Sequence, residues 1–81
     1  MDTHQVRIDS LLQGIMNLNQ NDTLTLTFII IHTSIIFSEV KDNDVLSETF
    51  IPQIEVLLTL LEHKTQKSFG TLVTELDTIY S

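Results

Sequence analysis

The chain has no cysteine, which excludes a disulfide framework and any thiolate metal site. It also has no tryptophan, no alanine, one proline, one arginine and two glycines. Two isolated glycines cannot build a phosphate-cradling loop, so nucleotide sites of that kind are excluded. Ala, Gly, Pro and Arg draw mostly on GC-rich codons, and their scarcity implies an AT-rich genome. Such genomes usually supply lysine, yet only Lys41, Lys64 and Lys67 stand against eleven Asp and Glu. Codon usage does not explain that deficit, so the net charge of −7 is a property of the protein. An acidic surface opposes direct contact with nucleic acid and anionic membranes and favours basic partners. Plain solubility accounts for the same charge.

Long hydrophobic runs are missing too. The longest unbroken one is Phe28–Ile31, far short of the roughly 20 apolar residues of a membrane helix. The start "MDTHQVRIDS" has neither a basic n-region nor an apolar core. These features predict no membrane span, no signal peptide and a cytoplasmic location.

What remains is an 81-residue chain with 42% apolar residues, enough for one globular domain spanning 1–81. A domain this small buries only roughly 60–65% of its unfolded surface, so self-association would help it. In "THQVRIDSLLQGIMNL", Ile8, Leu11, Leu12, Ile15 and Met16 recur at i, i+3, i+4, i+7 and i+8. That spacing predicts an amphipathic helix, ended by "NLNQND".

"TLTLTFIIIHTSIIFSEV", Thr23–Val40, is apolar and β-branched almost throughout. Leu24, Leu26, Phe28 and Ile30 alternate with Thr25, Thr27, Ile29 and Ile31, which is strand periodicity. Eighteen residues exceed an ordinary strand, so the pattern predicts a β-hairpin turning at His32–Ser34. Such a hairpin would pair Phe28 with Phe37 and Ile30 with Ile35. The turn chemistry is poor, because primed turns want Gly or Asn.

"DVLSETFIPQIEVLLTLLEHK" reads as helix, with Phe50, Ile54, Leu57, Leu58 and Leu61 on one face. Pro52 predicts either a start near that residue or a kink. After "HKTQKS", Ser68 caps a last helix carrying Phe69, Leu72, Val73, Leu76, Ile79 and Tyr80. The expected fold is therefore α+β: an N-terminal helix, a β-hairpin, then two C-terminal helices packed on the sheet.

No chemistry-bearing motif stands. A calcium loop starting at Asp42 would need a ligand at Leu46, Gly at Ser47 and Glu at Gln53, and all three fail. His4, His32 and His63 are isolated in sequence, so no metal site is expected. Nothing orients Ser34, His32 and Glu39 as a catalytic set. The expectation is a non-enzyme with no catalytic residues and no cofactor. Four basic residues make no nucleic-acid patch.

Two features point to partners. An apolar hairpin with uncovered edges predicts self-association through Ile29, Ile31 and Ile36, in a homodimer. Asp22, Glu39, Asp42, Asp44 and Glu48 predict one acidic patch at the open end of that hairpin, suited to a basic groove on a protein partner. Size, acidity, codon signature and element order resemble small phage or mobile-element proteins as a class, including inhibitors of bacterial defence. The expected function is an inhibitor or antagonist that binds another macromolecule. The alternatives are a structural or assembly-accessory subunit and a small-molecule-binding oligomer.

Overall fold

The structure is a computed structural model that describes residues 3–19 and 21–80. It contains four helices: α1 (Thr3–Met16), α2 (Thr23–Val40), α3 (Asp44–Thr65) and α4 (Phe69–Tyr80). There is no strand among the described residues, so the α+β expectation is overturned in favour of a helical bundle.

The correction falls on one segment. Thr23–Val40, read as a hairpin, is a single α-helix. A run that is apolar on every side carries no period of its own, so it fits a strand template and a buried helix equally well. Its length and its lack of any turn residue decide the matter. A two-residue hairpin turn favours backbone at positive φ near His32–Ser34, whereas a helix continues through those residues at only a modest propensity cost. The helix also takes up two of the segment's hydroxyls. Thr27 Oγ1 donates to the Thr23 carbonyl at 2.7 Å and Ser34 Oγ to the Ile30 carbonyl at 2.9 Å. Asp22, read as part of a loop, is the N-cap: its carboxylate accepts the Thr25 backbone N–H at 2.9 Å and the Thr25 hydroxyl. Phe28 and Phe37 are therefore not cross-strand partners, and neither are Ile30 and Ile35.

The other helices follow their spacing. α1 buries Ile8, Leu11 and Ile15. α3 starts at the Asn43 cap, whose side chain accepts from the Leu46 N–H at 3.0 Å, and it runs unbroken through Pro52. It ends where Gln66 adopts a left-handed conformation, φ 59°. Ser68 Oγ accepts the Thr71 N–H at 3.2 Å and so caps α4.

Tight connections make neighbours antiparallel. Glu39, near the end of α2, meets Arg7 near the start of α1. Ser47 near the start of α3 donates to the Val40 carbonyl at 2.6 Å. α1 and α3 therefore run parallel. They are joined at one end by reciprocal Gln5–Gln53 side-chain bonds of 2.8 and 3.0 Å, and at the other by Lys64 Nζ donating to the Met16 carbonyl at 3.0 Å. α4 packs on α2 and α3 but not on α1.

The core sits between the first three helices. Ile8, Leu11, Ile15, Ile29, Ile36, Val40, Phe50, Ile54, Leu57 and Leu61 are all buried, and α4 adds Leu72. Thr33 is buried among them, and its hydroxyl has no partner among the described residues. Gly14 faces Ile29, and a Cβ there would meet its Cδ1 at 3.5 Å, an ordinary contact. Gly14→Ala therefore fits without displacement, and it removes the entropic penalty of glycine inside a helix. Thermal or urea unfolding is expected to show a gain of about 1 kcal/mol.

Candidate interaction surface

α2 is apolar on two opposite faces. The inner face holds Ile29, Thr33, Ile36 and Val40, spaced i, i+4, i+7 and i+11, all buried. The outer face holds Leu24, Phe28, Ile31 and Ile35 at the same spacing, 78%, 55%, 47% and 41% exposed. At 100° per residue the two stripes lie on opposite sides of the helix. A surface helix normally puts polar residues on its outer side; one that is hydrophobic all round is normally buried. Here the outer side is uncovered by the chain's own helices.

The outer stripe is a ridge between two furrows. Toward α4, Val73, Leu76, Asp77 and Tyr80 line a groove of about 520 Å³ beside Ile31 and Ile35. Toward α1, Val6 and Ser10 line a smaller one of about 260 Å³ beside Phe28 and His32. Phe28 and His32 stack one turn apart, with ring centroids 4.1 Å apart. No Asp, Glu, Lys or Arg occurs from Thr23 to Ser38.

The structure divides the residues expected to drive self-association. Ile31 is exposed on the outer ridge, whereas Ile29 and Ile36 are core residues. The strand edge that was to carry the contact does not exist among the described residues. Leu24, Phe28 and Ile35 belong to the ridge and were not singled out, because strand alternation set them apart from Ile31. Reading the same run at helical period places all four together.

The acidic residues do not form one patch. Asp22 caps the start of α2, while Glu39, Asp42 and Asp44 lie at its far end. An 18-residue helix separates them, about 27 Å of rise. The single open end that would have gathered them was a property of the hairpin. Glu39 is engaged by Arg7 at 2.7 Å and by His4 at 3.3 Å through the same oxygen. Asp42, Asp44 and Glu48 are exposed around the short α2–α3 connection, with no salt bridge to any of them among the described residues. Asp44 stands in the first turn of α3, where it complements the helix dipole.

Two carboxylates titrate low. The Arg7 hydrogen bond lowers the Glu39 carboxyl from its ordinary value; burial opposes it as the second-largest cause, and the charges of Arg7 and His4 add to the lowering. The Thr25 hydroxyl, then the Thr25 backbone N–H, do the same for Asp22. A carboxyl depressed in the folded state stabilises the fold above its unfolded pKa, and that contribution is lost as pH falls through the folded pKa. Acidification from neutrality through the carboxylate range is therefore expected to lower the urea midpoint. In Glu39→Gln the neutral-pH midpoint drops, and the difference between neutral and acid pH shrinks.

No group of three or more His, Asp or Glu able to hold a metal occurs among the described residues. A cleft of about 550 Å³ lies beside Lys64 and Lys67. Both amines are engaged, Lys64 by the Met16 carbonyl and Lys67 by Glu75 at 2.9 Å. By length and composition α2 can cross a membrane, with mean hydropathy 1.6 over its 18 residues. The expectation that no stretch approaches a span came from unbroken runs and overlooked interspersed Thr and Ser. A mostly buried core helix passes the same test, whereas 28% of α2 is buried; withdrawing it into lipid would strip Ile29, Ile36 and Val40 from the core.

No family model matches the chain, and neither does any curated protein or any solved structure at a significant level.

Proposed function

We propose that the protein is a non-enzymatic interaction module whose working surface is the outer face of α2. The observation that carries this reading is the uncharged stripe Leu24–Phe28–Ile31–Ile35, exposed on a helix whose opposite face already fills the core. Its four side chains expose on the order of 400 Å², within the roughly 300–600 Å² of the largest apolar patch on an ordinary monomer, a patch that is often functional. The test is Nile red fluorescence at high dilution. The wild-type chain is expected to enhance it strongly, and Ile31→Lys to lose most of that enhancement while keeping its helical circular dichroism. A wild-type chain that leaves the dye dark would count against the reading.

A second reading retains the inhibitor or antagonist role, with a basic partner held at the α2–α3 corner. It is favoured by the exposure of Asp42, Asp44 and Glu48 without a salt bridge among the described residues. Titration with an oligolysine peptide tests it. Charge reversal at Asp42 and Glu48 should abolish salt-sensitive binding, and Ile31→Lys should leave it intact. Equal binding by both variants would remove this reading.

A further inference from the structure

Building on that working surface, we infer that its occupant is a second copy of the same chain, docked antiparallel, α2 against α2, across a two-fold axis.

Charge gives the first argument. Each chain carries −7, so two copies repel, and contact costs least on a surface with few carboxylates. Burying like charges together is costly. The outer face of α2 has no charged residue between Thr23 and Ser38. A basic partner finds no counter-charge on that stretch, whereas an acidic copy meets no like charge there.

Shape gives the second. A two-fold contact must be self-complementary, the same patch serving as both knob and hole. Here the ridge of α2 adjoins the groove lined by Val73, Leu76 and Tyr80. Both are predominantly apolar and both run beside the same helix, with Asp77 of α4 the charged residue in the groove's lining. A two-fold axis passing between Phe28 and Ile31 brings Leu24 of one copy to Ile35 of the other and Phe28 to Ile31. Each ridge then enters the other copy's groove, the usual way in which helices pack. Antiparallel α2 helices also align their dipoles favourably. This sense brings Asp22 of one copy toward Glu39 of the other, and Glu39 is already shared by Arg7 and His4.

Area gives the third. The ridge alone supplies about half of the roughly 800 Å² that each partner contributes to a stable interface, and the side chains lining the two furrows extend it.

The test is solution mass by light scattering, from low micromolar to near-millimolar chain, at low and high salt. The wild-type chain is expected at twice its 9.2 kDa in the upper part of that range. The dimer should hold or tighten at high salt, because salt screens the repulsion between acidic copies. Ile31→Lys should weaken association at least tenfold. Leu24→Ser changes a side chain that is 78% exposed, which keeps the fold, and should weaken association measurably. Val45→Lys, equally exposed but on α3, should dimerise like wild type. A wild-type monomer at every concentration and salt overturns the second-copy inference. Dye binding in that monomer would keep the interaction reading alive for another partner, and a dark dye would end both. A dimer unchanged by both Ile31→Lys and Leu24→Ser would also overturn the inference, by placing the contact elsewhere.

Discussion

Ile36→Ala is expected to cost about 2–4 kcal/mol, and Ile36→Lys to unfold the chain. Ile36 is 0% exposed, on the face of α2 that closes on α1 and α3. Removing three carbons there loses their transfer energy and leaves a cavity that a small bundle relaxes into only partly. A domain of this length holds on the order of 4–12 kcal/mol in total, so the alanine variant forfeits a large share of it. The adjacent Ile35 is 41% exposed, and Ile35→Ala should cost under about 1 kcal/mol at protein concentrations too low for association. Urea unfolding of the two variants measures the contrast. Near-equal losses would mean that the burial pattern of α2 is not the one described.

Pro52→Ala is expected to stabilise the protein by about 1–3 kcal/mol. Pro52 is an exposed residue inside α3, so the substitution sacrifices little packing. Proline has no N–H to offer the Glu48 carbonyl, and its ring crowds that same turn. Alanine restores the bond and relieves the crowding. Part of the gain is offset because proline also restricts the unfolded chain, an effect near 1 kcal/mol or less. A higher urea midpoint with unchanged circular dichroism is the expected result. A lower midpoint would show that α3 is shaped around the proline and that the ring itself packs.

The helices with polar punctuation were legible in the sequence. Ile8, Leu11 and Ile15 declared α1, and Phe50, Ile54, Leu57 and Leu61 declared the inner face of α3. Ser68 marked the start of α4. Each had polar residues on the other side, so the period was visible. α2 had no such contrast. Threonines fell on alternate positions at Thr23, Thr25 and Thr27, which imitates a strand, and its β-branched side chains favour strands intrinsically. Tertiary packing against α1 and α3 overrides that weak preference.

The error propagated in a defined way. A one-in-two repeat put Ile29 and Ile31 on one face, whereas a helix separates them by 200° and sends only Ile31 outward. It also folded Asp22 back beside Glu39, when the helix holds them at opposite ends. The helix leaves part of this segment's apolar surface exposed, at Leu24, Phe28, Ile31 and Ile35.

Backbone carbon chemical shifts across Thr23–Val40 test the central claim most directly. An unbroken helical series, continuous through His32, Thr33 and Ser34, is the predicted result. Two runs of extended shifts on either side of a break at those residues would restore the hairpin. They would contradict both the inner face that fills the core and the outer face offered to a second copy.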